Sequence, residues 1–134
     1  MIFVDTSAFY AVLDRDDAVH EPARATWATR VVDPETPTLV TSNYVLVESC
    51  ALIQARLGME AVRVFHEAIL PVVQVHWITP DDHRLATHAL LTANRRGLSL
   101  VDCTSFQIMR RLGLRRAFVF DQHFAEQGFE LLPG

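Results

Sequence analysis

A chain of 134 residues, half of them apolar, is sized for one domain and too short for two comfortable ones. No uncharged apolar run approaches the roughly 18 residues of a membrane helix, so no membrane span is expected. The net charge of −4 lends no global support to a nucleic-acid partner, which would need a local basic surface.

Residues 2–4 predict a short buried strand, and Asp5-Thr6-Ser7 supplies helix-starting side chains before Ala8 to Leu13. This opening has no basic leader and no small-residue cleavage site, so no signal peptide is expected. Asp14 to Asp17 is a polar break, after which Asp17 or His20 precedes a helix containing Ala23, Trp27 and Ala28. Pro34 and Pro37 bracket a loop. Residues 38–41 read as a second strand, and Ser42 or Asn43 caps a helix to about Leu57, ended by Gly58. Another helix runs from near Met59 to Leu70.

Residues 72–78 read as a third strand. Thr79-Pro80 is a strong helix start, and that helix is expected to reach Arg96 before Gly97. Leu98 to Val101 reads as a fourth strand, with a helix from Asp102 to Leu112 ending at Gly113. A fifth strand at 117–120, a short helix at 122–127 and a terminal strand at 129–132 complete the chain. Strands alternating with helices imply an α/β fold: one domain over 1–134, with a central, mostly parallel sheet and helices on both faces.

Four acids follow or border these apolar runs: Asp5, Glu48, Asp102 and Asp121. If the strands are parallel, their carboxyl ends share one edge, where ligands gather in such folds. A carboxylate buried there without a partner costs several kcal/mol. Four acids together call for a hard divalent cation with oxygen ligands, Mg²⁺ or Mn²⁺. Asp5 or Asp102 alone reads equally well as a helix cap. Glu48 sits mid-helix on a stripe with Tyr44, Val45 and Leu52, so it is expected to be buried or aimed at the sheet edge. Thr6, Ser7, Thr104 and Ser105 are candidates either for capping or for orienting a carboxylate or a water.

The twelve basic residues are all arginine. Without lysine, a phosphate-accepting receiver domain and a haloacid-dehalogenase-type phosphatase are both disfavoured, and the DxD motif of the latter is also missing. Arg95-Arg96 and Arg110-Arg111 read as the last turns of helices, complementing the helix dipole at the edge opposite the acids. Arg84 and Arg15 are the candidates for contacts near the active edge. The six histidines show no HExxH-like spacing, and His123 is the one that can lie near the acids. Cys50 and Cys103 form neither a disulfide framework nor a zinc pattern; they read as small buried fillers suited to a reduced cytoplasm.

The combination of Phe3-Val4-Asp5-Thr6-Ser7, Thr41-Ser42 through Val47-Glu48, Leu98 through Phe106, and Ala117 through Phe124 ahead of Gly128-Phe129 resembles the PIN-domain ribonucleases. Within them it is similar to the toxins of VapBC toxin–antitoxin pairs, essentially end to end. That resemblance implies a metal-dependent endoribonuclease with Asp5, Glu48, Asp102 and Asp121 as its acidic quartet. It implies cleavage of structured RNA, a tRNA or ribosomal loop, leaving a 5′-phosphate and a 3′-hydroxyl. It also implies a homodimer in the cytoplasm, neutralised by an antitoxin protein. A housekeeping PIN nuclease in RNA maturation and a non-catalytic PIN-like RNA- or protein-binding scaffold are the alternatives. Val45, Leu46, Leu52, Ile53, Leu57, Val62, Phe65 and Ile69 are more apolar residues than one sheet face obviously covers, so the helical pair 42–70 is expected to offer a partner groove.

Overall fold

The computed structural model describes residues 1–33, 35 and 37–134, with backbone alone at 31 and 32. Pro34, expected to bracket a loop with Pro37, lies outside the described residues. Five strands form the sheet: β1 (Ile2–Val4), β2 (Leu39–Ser42), β3 (Val73–His76), β4 (Arg116–Phe118) and β5 (Glu130–Leu132). Their order is β3-β2-β1-β4-β5 and every pairing is parallel. β1 is central, with Phe3 opposite Val40 on one side and Ala117 on the other.

Successive strand residues face opposite sides, yet Ile2, Phe3 and Val4 are all fully buried. Both faces of the sheet are therefore covered, as parallel sheets require. The covering helices are α1 (Thr6–Leu13), α2 (His20–Val32), α3 (Asn43–Leu57), α4 (Met59–Val64), α5 (Pro80–Ala93), α6 (Leu100–Leu112) and α7 (His123–Glu126). α4 continues into a π-helical turn at Phe65–Ile69 and a 3₁₀ turn at Leu70–Val72, where Pro71 lacks the N–H to extend the ladder. Gly58 takes φ 89° between α3 and α4. Phe9 packs edge-on against Phe65 at 5.2 Å, and Phe106 against Phe124 at 4.9 Å. Among the described residues, no helix is long and apolar enough to cross a membrane.

Three expectations change. Leu98 to Val101 is not a strand: residues 98–99 lead directly into α6. Ser99 and Asp102 cap each other, Asp102 N donating to Ser99 Oγ at 3.0 Å and Ser99 N donating to Asp102 Oδ2 at 3.2 Å. A four-residue apolar run cannot be told from a buried helix start by pattern, and here the reciprocal cap decides. α5 stops at Ala93 rather than Arg96, because Asn94 adopts a left-handed C-cap at φ 51°. β3 ends at His76, and Ile78 N instead donates to Asn43 Oδ1 at 2.7 Å.

The expected partner groove also changes. Val45, Ile53, Val62, Phe65 and Ile69 are core residues. The apolar surface of this helical pair is instead Val47, Met59 and Val64, all exposed.

The N-terminus of α5 is tied to the C-terminus of α6. Arg111 donates to Asp82 Oδ2 at 2.8 Å, and its Nη2 also lies 2.7 Å from His76 Nε2. Burial alone would raise the Asp82 pKa, but bonds from Thr79 and Arg111 outweigh it and hold the carboxyl below its usual range. A depressed folded-state pKa contributes stability that is present above the unfolded value and lost as pH falls. Arg111→Met should therefore lower stability by about 1–2 kcal/mol at neutral pH, since the half-exposed guanidinium is partly screened. Melting temperatures of the two proteins should converge as pH drops through the carboxylate range.

Candidate active site

The chain runs from β1 outward to β3, then crosses back to place β4 on the other flank of β1. Such a reversal opens a crevice at the carboxyl ends of β1 and β4, which is where ligands bind in α/β sheets. Asp5 follows β1 directly. Its backbone N–H bonds Phe118 O at 3.1 Å, so the acid is pinned against β4. Its side chain caps α1, accepting from Ser7 N at 3.2 Å and Ser7 Oγ at 2.9 Å. The same Ser7 Oγ accepts from Phe120 N at 3.0 Å, so one hydroxyl joins the first acid to the exit of β4.

Asp5 is only 4% exposed. Burial pushes its carboxyl up to about 7; the two Ser7 bonds oppose this, and the charges of Asp102 and Glu48 add to it. Asp102 is buried at the first turn of α6, and burial raises its pKa too, against the Ser99 hydrogen bonds and with help from Asp121. Asp121 lies three residues beyond β4, half-buried, and accepts from His123 N at 2.9 Å.

α3 carries Glu48 to this edge by docking on Thr6. Ser49 Oγ donates to Thr6 Oγ1 at 2.9 Å, and Thr6 Oγ1 donates to Val45 O at 3.5 Å. The buried stripe of α3 is Val45, Ser49 and Ile53. Glu48 precedes Ser49 and so projects at the rim: it is exposed, not buried as its apolar neighbours suggested, yet its charge is felt at Asp5.

The four candidate hydroxyls divide. Ser7 orients an acid and Thr6 joins two helices. Thr104 and Ser105 donate within α6, to Leu100 O at 2.7 Å and Val101 O at 3.0 Å, rather than to an acid. Asp102 takes its orientation from Ser99, a residue legible in the sequence only as the cap of an S-x-x-D spacing. Cys103 is buried, its thiol pushed up by burial and by Asp102, as suits an inert filler; Cys50 lies 3.7 Å from His66 on the α3–α4 surface.

His123 is part of the cluster. One ligand atom each from Asp102, Asp121 and His123 lies within 4.8 Å of the others. His123 Nδ1 is 3.2 Å from Asp121 Oδ1 and 3.6 Å from Asp102 Oδ2, but it is out of hydrogen-bond alignment with either and makes no hydrogen bond among the described residues. A buried orphan nitrogen facing two carboxylate oxygens, beside two acids with raised pKa values, fits a divalent cation.

The arginines are also rearranged. Because α5 stops early, Arg95 and Arg96 belong to the turn that feeds α6, on the acid side and not at the opposite edge. Arg95 bonds Glu126 of α7 at 2.9 Å, and a Cβ at Gly97 would sit 3.9 Å from the His123 ring. Arg96 is exposed. Of the arginines expected near the edge, Arg84 pairs with Asp81 and Arg15 lies beyond the far end of α1.

Residues 2–130 match the family described as PIN domain. The chain is 38% identical over 130 residues to the 23S rRNA-specific endonuclease VapC20 of Mycobacterium tuberculosis, in strains CDC 1551 / Oshkosh and ATCC 25618 / H37Rv, covering 96% of this chain and 95% of that protein. It resembles the crystal structure of Mycobacterium tuberculosis VapC20, a sarcin-ricin loop cleaving toxin, with a TM-score of 0.85 and 36% identity over 96% of each chain. FitAcB from Neisseria gonorrhoeae, at 13% identity, covers 98% of this chain and 96% of its own, and shares the fold with a TM-score of 0.69.

The raised Asp5 pKa fixes a sign. The folded state holds a proton that the unfolded chain releases near pH 4, so ionising Asp5 costs stability that is lost as pH rises toward 7. Metal-free Asp5→Asn should melt above wild type at pH 8, by an amount worth a few kcal/mol at most. The difference should shrink toward pH 4. Thermal melts across that range check it.

Proposed function

The chain belongs to the PIN-domain family, and from that membership we propose that it is a divalent-metal-dependent endoribonuclease, the toxin of a toxin–antitoxin pair. The observation that carries this reading is the convergence of Asp5, Asp102, Asp121 and His123, from three distant segments, on one switch-point crevice, with Glu48 at its rim.

Asp5, Asp102 and Asp121 would hold a Mg²⁺ or Mn²⁺ ion, with Glu48 reaching it directly or through water. When bound, such an ion supplies Lewis-acid activation of the phosphodiester and of an attacking water. The protein contributes placement. Ser7 and Ser99 lock two carboxylates in fixed orientations, and the burial of Asp5 couples cation binding to release of its proton. Glu48, exposed at the rim, is the acid that would receive a proton from water. Arg96, exposed in the turn before α6, is a candidate to meet a flanking phosphate and offset the −4 charge of the chain.

The substrate we propose is a structured ribosomal RNA loop, on the strength of near full-length similarity to a 23S rRNA-specific endonuclease. Unpaired loop bases are where RNA offers itself to a protein. The products are a 5′-phosphate and a 3′-hydroxyl. The partners are a cognate antitoxin and a second copy of the chain, and Val47, Met59 and Val64 are exposed apolar residues that they can cover. An antitoxin that occupies the crevice would present an arginine to the acids. The working compartment is the cytoplasm.

Asp5→Asn and Asp102→Asn should each reduce RNA cleavage by at least 100-fold without loss of fold, and excess EDTA should do the same to wild type. Sequencing of new 5′ ends after induced expression should show one dominant cut in ribosomal RNA. Cleavage that persists in EDTA, or a 2′,3′-cyclic phosphate product, contradicts the mechanism. A separate test is Ser7→Ala, expected to lower kcat about 10–100-fold by freeing Asp5 while leaving KM nearly unchanged.

A further inference from the structure

We propose that His123 Nδ1 is a direct ligand of the cation, and that this nitrogen biases the site toward ions that accept imidazole, of the Mn²⁺ class, over Mg²⁺. The inference rests on the metal-dependent reading above and deepens it.

The geometry of one atom carries it. Nδ1 is buried, so no solvent satisfies it, and it makes no hydrogen bond among the described residues. As an N–H it would aim at neither nearby oxygen, although Asp121 Oδ1 and Asp102 Oδ2 lie at 3.2 and 3.6 Å. As a bare lone pair it would face two carboxylates with nothing between them. A cation resolves both difficulties. The two oxygens lie 3.2 and 3.6 Å from Nδ1, and the three ligand atoms all lie within 4.8 Å of one another, near enough for one ion to be shared among them.

The ring is held for this task. His123 N is fixed to Asp121 Oδ1 at 2.9 Å, which ties the backbone of one donor to the side chain of the next. A Cβ placed at Gly97 would come 3.9 Å from Cε1 and Nε2, so the turn before α6 passes close to the ring. The nearby Glu126 is engaged by Arg95 at 2.9 Å and so does not compete for the imidazole. Mg²⁺ is a hard ion that takes oxygen ligands, whereas Mn²⁺, though it also suits oxygen, opens the first-row series whose members accept imidazole, so one nitrogen among the carboxylates favours Mn²⁺ relative to Mg²⁺.

Mn²⁺ bound to the wild-type protein should show, by electron spin echo envelope modulation, the ¹⁴N coupling of a directly bound imidazole. His123→Leu should lose that coupling and weaken Mn²⁺ binding at least tenfold, while Mg²⁺ binding, read by competition, changes less. The wild-type spectrum needs no variant to fold. Bound Mn²⁺ without ¹⁴N coupling in wild type, or coupling that survives in His123→Leu, overturns the inference and leaves the nuclease reading standing. Failure of wild type to bind Mn²⁺ at all, with RNA cleavage undiminished in EDTA, overturns the metal reading itself.

Discussion

A carboxylate driven into the protein interior is the constraint around which this structure is arranged. Asp5 closes the central strand, sits almost wholly buried, and has its backbone bonded to β4. Among the described residues no cation is paired with it, and Ser7 orients it. Each further acid brought to the same crevice worsens the repulsion, and burial keeps water from screening it. The fold is stable enough to hold this arrangement because the rest of β1 is fully apolar and packed on both faces. That repulsion is what a divalent cation would relieve.

The hydroxyls show how the repulsion is kept local. Thr41 Oγ1 donates to Val4 O at 2.8 Å, at the strand end just before Asp5. Thr6 and Ser49 join α1 to α3, and Ser7 joins α1 to the segment after β4. Two of these bonds satisfy backbone groups at this edge, Val4 O and Phe120 N. They also fix the crevice walls independently of whatever occupies the crevice.

Much of this was legible in the sequence. β1, α1, α3 and the Thr79-Pro80 start of α5 announce themselves through apolar runs, caps and proline, and the parallel sheet follows from their alternation. The short run at 98–101 did not, because a strand and a capped helix start share the same apolar pattern and only the Ser99–Asp102 pairing separates them. Asn94 ended α5 early by accepting a left-handed conformation, a property read from geometry more readily than from an isolated asparagine. That single turn moved Arg95 and Arg96 from the far edge to the acids. Of the two readings of Glu48, buried or aimed at the sheet edge, the second describes it, because helical periodicity locates a stripe to within about one residue and its neighbour Ser49 holds the inward position. His123 was visible only as a neighbour of Asp121, since nothing in its spacing reveals where Nδ1 points.

The register of β1 against β4 sets residue 4 beside residue 118. Such contacts between distant parts of a chain are closed late and slowly, because a long loop must be ordered before the pairing rewards it. A polypeptide emerging from synthesis has its first carboxylate almost at once, yet lacks the walls that bury it until β4 and α7 have been made. The assembled crevice therefore draws on both ends of the sequence. A chain ended before β4 would lack both the strand that flanks β1 and the segment that carries Asp121 and His123, so the crevice would have only one wall.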